Sequence, residues 1–119
     1  RVFLFNEVKM RVFISGPITG VENYERNFEV RAANLRAMGF QVENPVKIGK
    51  ALESMFPDRK ITHEEYMTQT LATLLNCDGI SMLDGWEDSI GCKTEYEVAV
   101  ATGKTFVRAK LLDPSWNKV

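Results

Sequence analysis

Apolar and polar positions along this chain change period several times, and each change marks an element. Arg11 to Ser15 is a short β-branched and aromatic run that stops at Gly16-Pro17, a strand ending in a turn. From about Asn23 to Met38, the residues Tyr24, Phe28, Ala32 and Leu35 recur at four- and three-residue spacing, which predicts an amphipathic helix. Gly39 is placed to close that helix in the left-handed conformation. Phe40-Gln41-Val42 alternates as a second strand and ends at Asn44-Pro45. Across residues 46 to 61 the pattern is weakest, although Ile48, Leu52 and Met55 fit one side of a short helix before Pro57. Thr62 with Glu65 has the form of a capping box, and the helix it opens carries Met67, Leu71 and Leu74 on one face to about Asn76. Gly79 to Leu83 predicts a third strand, Lys93 to Thr102 a further helix whose first turn holds Glu95, and Thr105 to Arg108 a fourth strand.

Strands alternating with helices predict an α/β fold, a flavodoxin- or Rossmann-like three-layer sandwich around a small parallel sheet of four to five strands. No internal repeat or low-complexity segment interrupts it, so residues 10–119 read as a single domain. Met10-Arg11-Val12-Phe13-Ile14 has the look of a natural beginning, and residues 1–9 read as a leader or remnant before it.

Composition narrows the function classes. The 119 residues are 45% hydrophobic and 26% charged, an ordinary balance for one core. A net charge of -1 supplies no basic field for long nucleic acid, while a nucleotide-sized ligand needs only local donors. Cys77 and Cys92 form no disulfide framework and read as small buried residues. With His63 as the single histidine, no metal spacing is present, so neither a metal nor another cofactor is expected. Apolar runs are too short for a membrane helix and no secretory segment is visible, so a cytoplasmic protein is expected.

Two loops carry the candidate chemistry. Ser15-Gly16-Pro17-Ile18-Thr19-Gly20 follows the first strand, and Gly85-Trp86-Glu87-Asp88-Ser89-Ile90-Gly91 follows the third. In a flavodoxin-like order those strands are neighbours, so both loops open into one crevice beyond the carboxyl ends of the sheet. The first loop fits neither the dinucleotide fingerprint nor the P-loop, since it lacks G-x-G-x-x-G and Gly-Lys-Ser/Thr. Read from residue types alone, Glu95 and Glu97 are equally eligible as reactive carboxylates or as acids that favour a helix N-terminus. The apolar run Val98 to Ala101 does not separate them by periodicity.

Together with Asn44-Pro45, Cys77-Asp78 and Glu95-Tyr96-Glu97-Val98-Ala99, these loops resemble the nucleoside 2-deoxyribosyltransferase superfamily. The similarity includes its deoxynucleoside 5'-monophosphate N-glycosidases and runs from Met10 to about Arg108, closest to a small, phage-enriched branch. The resemblance implies that Glu95, in a Glu-x-x-x-Ala segment with Ala99, attacks the anomeric carbon and displaces the base. Departure of a base builds oxocarbenium character that a nearby carboxylate stabilises and captures. The resemblance further implies that Gly16, Pro17, Ile18, Thr19 and Gly20 wrap the sugar and phosphate, and that Ser89 and Gly91 hold a 5'-phosphate. Ser89 is equally a helix-capping serine.

Departures from the pattern are specific. Phe13 stands where relatives place a tyrosine, Pro17 where the N-glycosidases have a serine, and Thr70 where a sugar-orienting aspartate is common. A second carboxylate would then come from Asp84, Glu87 or Asp88, or be absent. Trp86 either stacks on a base or covers the sheet edge. Asp78 reads as a turn residue, His63 as a solvated or capping histidine, and Tyr66 and Met67 as helix packing. Lys47, Lys50, Arg59 and Lys60 read as a solvated loop face with a phosphate contact as the alternative. The resemblance implies a homodimer or higher homo-oligomer, in which the tail Asp113 to Asn117 is a candidate to reach a neighbouring site. The leading expectation is cleavage or transfer of the N-glycosidic bond of a (deoxy)nucleoside 5'-monophosphate or nucleoside. The alternative is a nucleotide-binding or sequestering protein without turnover.

Overall fold

The first strand forms the middle of the molecule because it is apolar on both sides. In a computed structural model that describes residues 9–108, β1 (Arg11–Ser15) is buried from Val12 to Ser15. Val12 and Ile14 point into one apolar cluster, with Phe28, Ala32, Leu35, Val46 and Leu83. Phe13 points into another, with Leu74, Cys77, Ile80 and Ala99. That alternation is the period of two that sends successive strand side chains to opposite faces.

The elements follow in the order β1, α1 (Tyr24–Ala37), β2 (Gln41–Glu43), α2 (Pro45–Met55), α3 (His63–Leu75), β3 (Gly79–Met82), α4 (Ile90–Ala101) and β4 (Thr105–Phe106). A single 3-10 turn at Trp86–Asp88 joins β3 to α4. The sheet has the order β2-β1-β3-β4 and is parallel throughout. β1 pairs Val12 with Val42 on one side and with Gly79 on the other, and Ser15 stands beside Met82. The first cluster packs α1 and the start of α2 against one face of the sheet. The second packs α3 and α4 against the opposite face, giving a three-layer α/β fold with four strands.

Several local signals act as expected. Gly39 closes α1 with φ 99, where a Cβ would be strained. The capping box at the start of α3 is complete: Glu65 N–H donates to Thr62 Oγ1 at 3.1 Å and Thr62 N–H donates to Glu65 Oε1 at 2.9 Å. Arg59 adds a two-pronged contact to the same carboxylate, at 2.8 and 2.7 Å, and holds the Glu65 pKa down to about 2. Thr62→Ala is expected to lower stability by about 0.5–2 kcal/mol in urea unfolding, the usual effect of losing an N-cap. An unchanged midpoint would show that the Arg59–Glu65 pair alone organises this end of α3.

Several boundaries differ from the pattern-based expectation. α2 begins at Pro45, directly after the second strand, because Asn44 caps it by accepting from Val46 N–H at 3.0 Å and Pro45 takes the first helical position. Leu52 is buried there and Ile48 half-buried, but Met55 is exposed at the end of the helix. α4 begins at Ile90, three residues before the expected start at Lys93, because Ser89 caps it. Glu95 is therefore the sixth residue of α4 and lies beyond its first turn. Thr105 and Phe106 pair with Gly79 and Ile80, which ends β4 two residues short of the expected Arg108. Residues 1–8 of the expected leader, and the tail Asp113 to Asn117, lie outside the described residues.

Candidate functional site

A cleft of about 1470 Å³ opens where β1 and β3 end. Its floor and walls come from both expected loops and from four helices: Gly16 to Thr19 after β1, Leu83 to Gly85 with Asp88 and Ser89 after β3, Tyr24 and Arg31 on α1, Gly49 and Lys50 on α2, His63, Tyr66 and Met67 on α3, and Ile90 to Cys92 with Glu95 on α4. The neighbouring positions of β1 and β3 bring the two loops into one crevice, since Leu83 N–H donates to Ser15 O at 2.8 Å just where both strands stop.

Glu95 is the carboxylate at the base of this cleft. It projects from α4 with only 5% of its surface exposed, and it lines the cavity. Ser15, fully buried at the end of β1, donates its hydroxyl to Glu95 Oε1 at 2.6 Å. Such a short bond to an anionic acceptor is of the charge-assisted kind. Burial raises the Glu95 pKa above the ordinary carboxylate value, because the charged form has lost water; the Ser15 and Thr70 hydroxyls act against that rise. Thr70, also fully buried, approaches from α3. Thr70 thus faces the carboxylate as a neutral hydroxyl.

Helix geometry separates the two rival glutamates that periodicity left equal. Cys92, Glu95 and Ala99 share the buried stripe of α4, whereas Glu97 is exposed. Glu97 lies instead in a shallower depression on the outer face of that helix, with Lys93 and Thr94.

The loop after β3 is a turn with a fixed backbone. Gly85 adopts φ 87, and Trp86, Glu87 and Asp88 form the 3-10 turn. Asp84 and Asp88 are exposed and line the cleft, while Glu87 is exposed and outside it. Ser89 lines the cleft and accepts from Cys92 N–H at 3.2 Å, so its capping role is realised at the same place as its expected ligand contact. Gly91 sits where the starts of α3 and α4 meet: a Cβ there would stand 3.3 Å from Met67 Sδ and 3.8 Å from His63 Cε1.

Three expected substrate contacts fall elsewhere. Phe13 is fully buried with Leu74, Cys77, Ile80 and Ala99, and presents no surface to the cleft. Trp86 stacks on Tyr96, with ring centroids 4.6 Å apart and planes 13° from parallel, and Tyr96 in turn meets Phe106 at 5.2 Å. That aromatic ladder ties the loop to α4 and to the sheet edge, and Trp86 is not part of the cleft wall. Gly20 shapes the first loop through φ 76 but does not line the cavity. Gly16, Pro17, Ile18 and Thr19 do.

Other residues join the site that pattern reasoning assigned to packing or solvent. Tyr66 lines the cleft, and its hydroxyl donates to Pro45 O at 3.3 Å; burial, with Glu95 nearby, raises its pKa. Cys92 is buried one turn before Glu95, and burial raises its pKa. Lys50 lines the mouth and pairs with Glu25 at 2.9 Å. Arg31 reaches from α1 to Ser81 Oγ at 2.9 Å and Met82 O at 3.0 Å, anchoring the strand end from which the second loop leaves. A mid-helix arginine above an apolar stripe was the available signal for it. Arg59 instead serves the cap of α3, and Asp78 accepts from Arg11 N–H at 2.9 Å as a turn residue at the strand start. His63 is exposed at the first position of α3. Among the described residues no three His, Cys, Asp or Glu side chains are placed to hold a metal ion, and no helix is long and apolar enough to cross a membrane.

A family model described as a domain of unknown function, DUF4406, matches residues 10–108, the span that holds every element of this cleft. The chain belongs to that family. A comparison with curated proteins gives no match. The DUF4406 match covers β1 through β4 as one unit, so Ser15, Thr70 and Glu95 all belong to the family domain and none to a flanking segment.

Proposed function

We propose that this DUF4406 domain cleaves or transfers the N-glycosidic bond of a (deoxy)nucleoside 5'-monophosphate or nucleoside, with Glu95 as nucleophile. The observation that carries the reading is a buried carboxylate, hydrogen-bonded by Ser15, that lines a cleft beyond the strand ends. A carboxylate oxygen of Glu95 would form a bond to the anomeric carbon as the bond to the base nitrogen breaks. The bonding pair leaves with the base, which takes up a proton. Water, or a second base, then attacks the glycosyl ester and returns Glu95 to its anionic form. Asp84 and Asp88 on the cleft wall are the carboxylates available to assist proton movement. The N–H groups at the start of α4, near Ser89 and Gly91, suit a 5'-phosphate, since a helix N-terminus favours an anion. The same resemblance supports a homodimer or higher assembly.

Incubation with a panel of ribo- and deoxynucleoside monophosphates and nucleosides, followed by chromatography, tests the proposal. Release of free base from at least one of them is expected. One observation favours a second reading, a nucleotide-binding protein without turnover: Thr70, a neutral hydroxyl, faces Glu95 from α3. Absence of base release from every panel member, with a raised melting temperature in the presence of one of them, would favour that reading.

A further inference from the structure

Ser15 and Glu95 are separated by 80 residues, yet their side chains meet at 2.6 Å in the interior. We infer that Ser15 is the positioning residue of Glu95, holding Oε1 so that the carboxylate presents Oε2 to whatever occupies the cleft. This rests on the reading of Glu95 as the reactive group.

The geometry favours this role over a purely structural one. A buried serine at a strand end commonly returns its hydroxyl to a nearby backbone carbonyl, the local bond that short polar side chains make most readily. Ser15 instead spends its donor on an ionisable group from another layer of the fold. β1 is an interior strand, paired on both sides, so the hydroxyl is carried on a firmly held backbone. A site placed on a rigid strand keeps its geometry better than one on a loop. With one oxygen held by Ser15, the orientation of the carboxylate toward the cleft is fixed.

The groups around Glu95 leave Ser15 as its principal donor. Cys92 on the same helix and Tyr66 on α3 carry protons whose release burial opposes, and Asp84, Asp88 and the exposed His63 line the cleft walls. Thr70 approaches from α3, but its hydroxyl also donates to Met67 O at 3.3 Å. No charged donor pairs with Glu95 among the described residues. A hydroxyl that donates to the anionic form favours that form and opposes the effect of burial.

The test is a pH titration of the Glu95 side-chain carboxyl by carbon-detected NMR, in the parent protein and in Ser15→Ala. The midpoint is expected to move to higher pH in the variant. Ser15→Cys, close in shape and a weaker donor, is expected to fall between the two and provides a second folded variant if Ser15→Ala does not fold. A Glu95 midpoint unchanged in a folded Ser15 variant would overturn the inference. Because this titration needs no substrate, its failure is distinct from absence of base release by the parent, which would overturn the catalytic reading instead. Where base release is observed, Ser15→Ala is expected to lower kcat at pH 7 by about tenfold with KM changed little, and to move the acid limb of the pH profile upward. A fall in kcat that is equal at every pH would count against positioning.

Discussion

Glu95→Gln is expected to lower base release by on the order of 10³-fold or more, the scale of losing a covalent nucleophile. The same substitution is expected to make the protein more stable at alkaline pH. Burial raises the carboxyl's pKa in the folded state above its value in the unfolded chain. Between those two values the folded protein binds the proton more tightly than the unfolded chain does. The stability associated with protonated Glu95 is therefore fully present below the unfolded value and is lost as pH rises through the folded one. An amide in that place carries no charge to desolvate and still accepts from Ser15. At pH 8 the melting temperature of Glu95→Gln is expected to exceed that of the parent. At pH 4 the difference should shrink or vanish. Loss of activity with a parallel loss of stability at both pH values would mean that Glu95 serves the fold and not the reaction.

Gly16→Ala is expected to lower stability by about 1–3 kcal/mol, the range for forcing extra atoms into a packed interior. A Cβ at this position would stand 2.5 Å from Leu83 Cδ1 and 2.9 Å from both Leu83 Cβ and Cγ. Leu83 belongs to the core cluster with Val12, Ile14 and Phe28, and its Cβ is fixed to the backbone, so rotating the side chain would not relieve the 2.9 Å contact. Relief would have to come from the backbone of one loop or the other, and both line the cleft. The substitution should therefore weaken ligand binding together with stability. Urea unfolding monitored by circular dichroism reads the first effect, and ligand-induced thermal shift the second. An unfolding midpoint equal to the parent's would show that the two loops are not held in contact in solution.

Much of the architecture is legible in the sequence because it depends on local chemistry. The apolar run at Arg11 to Ser15, the four- and three-residue spacing of Tyr24, Phe28, Ala32 and Leu35, and the Thr62–Glu65 capping box each give an element close to its observed bounds. Two helix starts are obscured for a common reason. Asn44-Pro45 ends one element and begins the next, and the turn-like residues that stop a strand are the same ones that cap a helix. Ser89 has the same double character, with Gly91 behind it reading as loop. The candidate site is legible only in part. Glu95 follows from the resemblance, but its separation from Glu97 depends on the rotation of α4 against the sheet. The Ser15 contact is invisible in any window of the sequence, being made across 80 residues. Trp86 fits two uses from sequence alone, because its stacking partner Tyr96 lies on the next helix.

The long reach of the Ser15–Glu95 contact has a consequence for how the proposed site assembles. Loop closure over such a span costs entropy that only later contacts repay, and parallel sheets of this kind assemble slowly for that reason. β1 emerges first during synthesis but remains half-paired until β3 has arrived, and α4 comes later still. A nascent chain ending before α4 has the first loop and no carboxylate beneath it. Glu95 thus meets the Ser15 hydroxyl only when nearly the whole domain is in place, so the buried pair is never held in register on an incomplete chain.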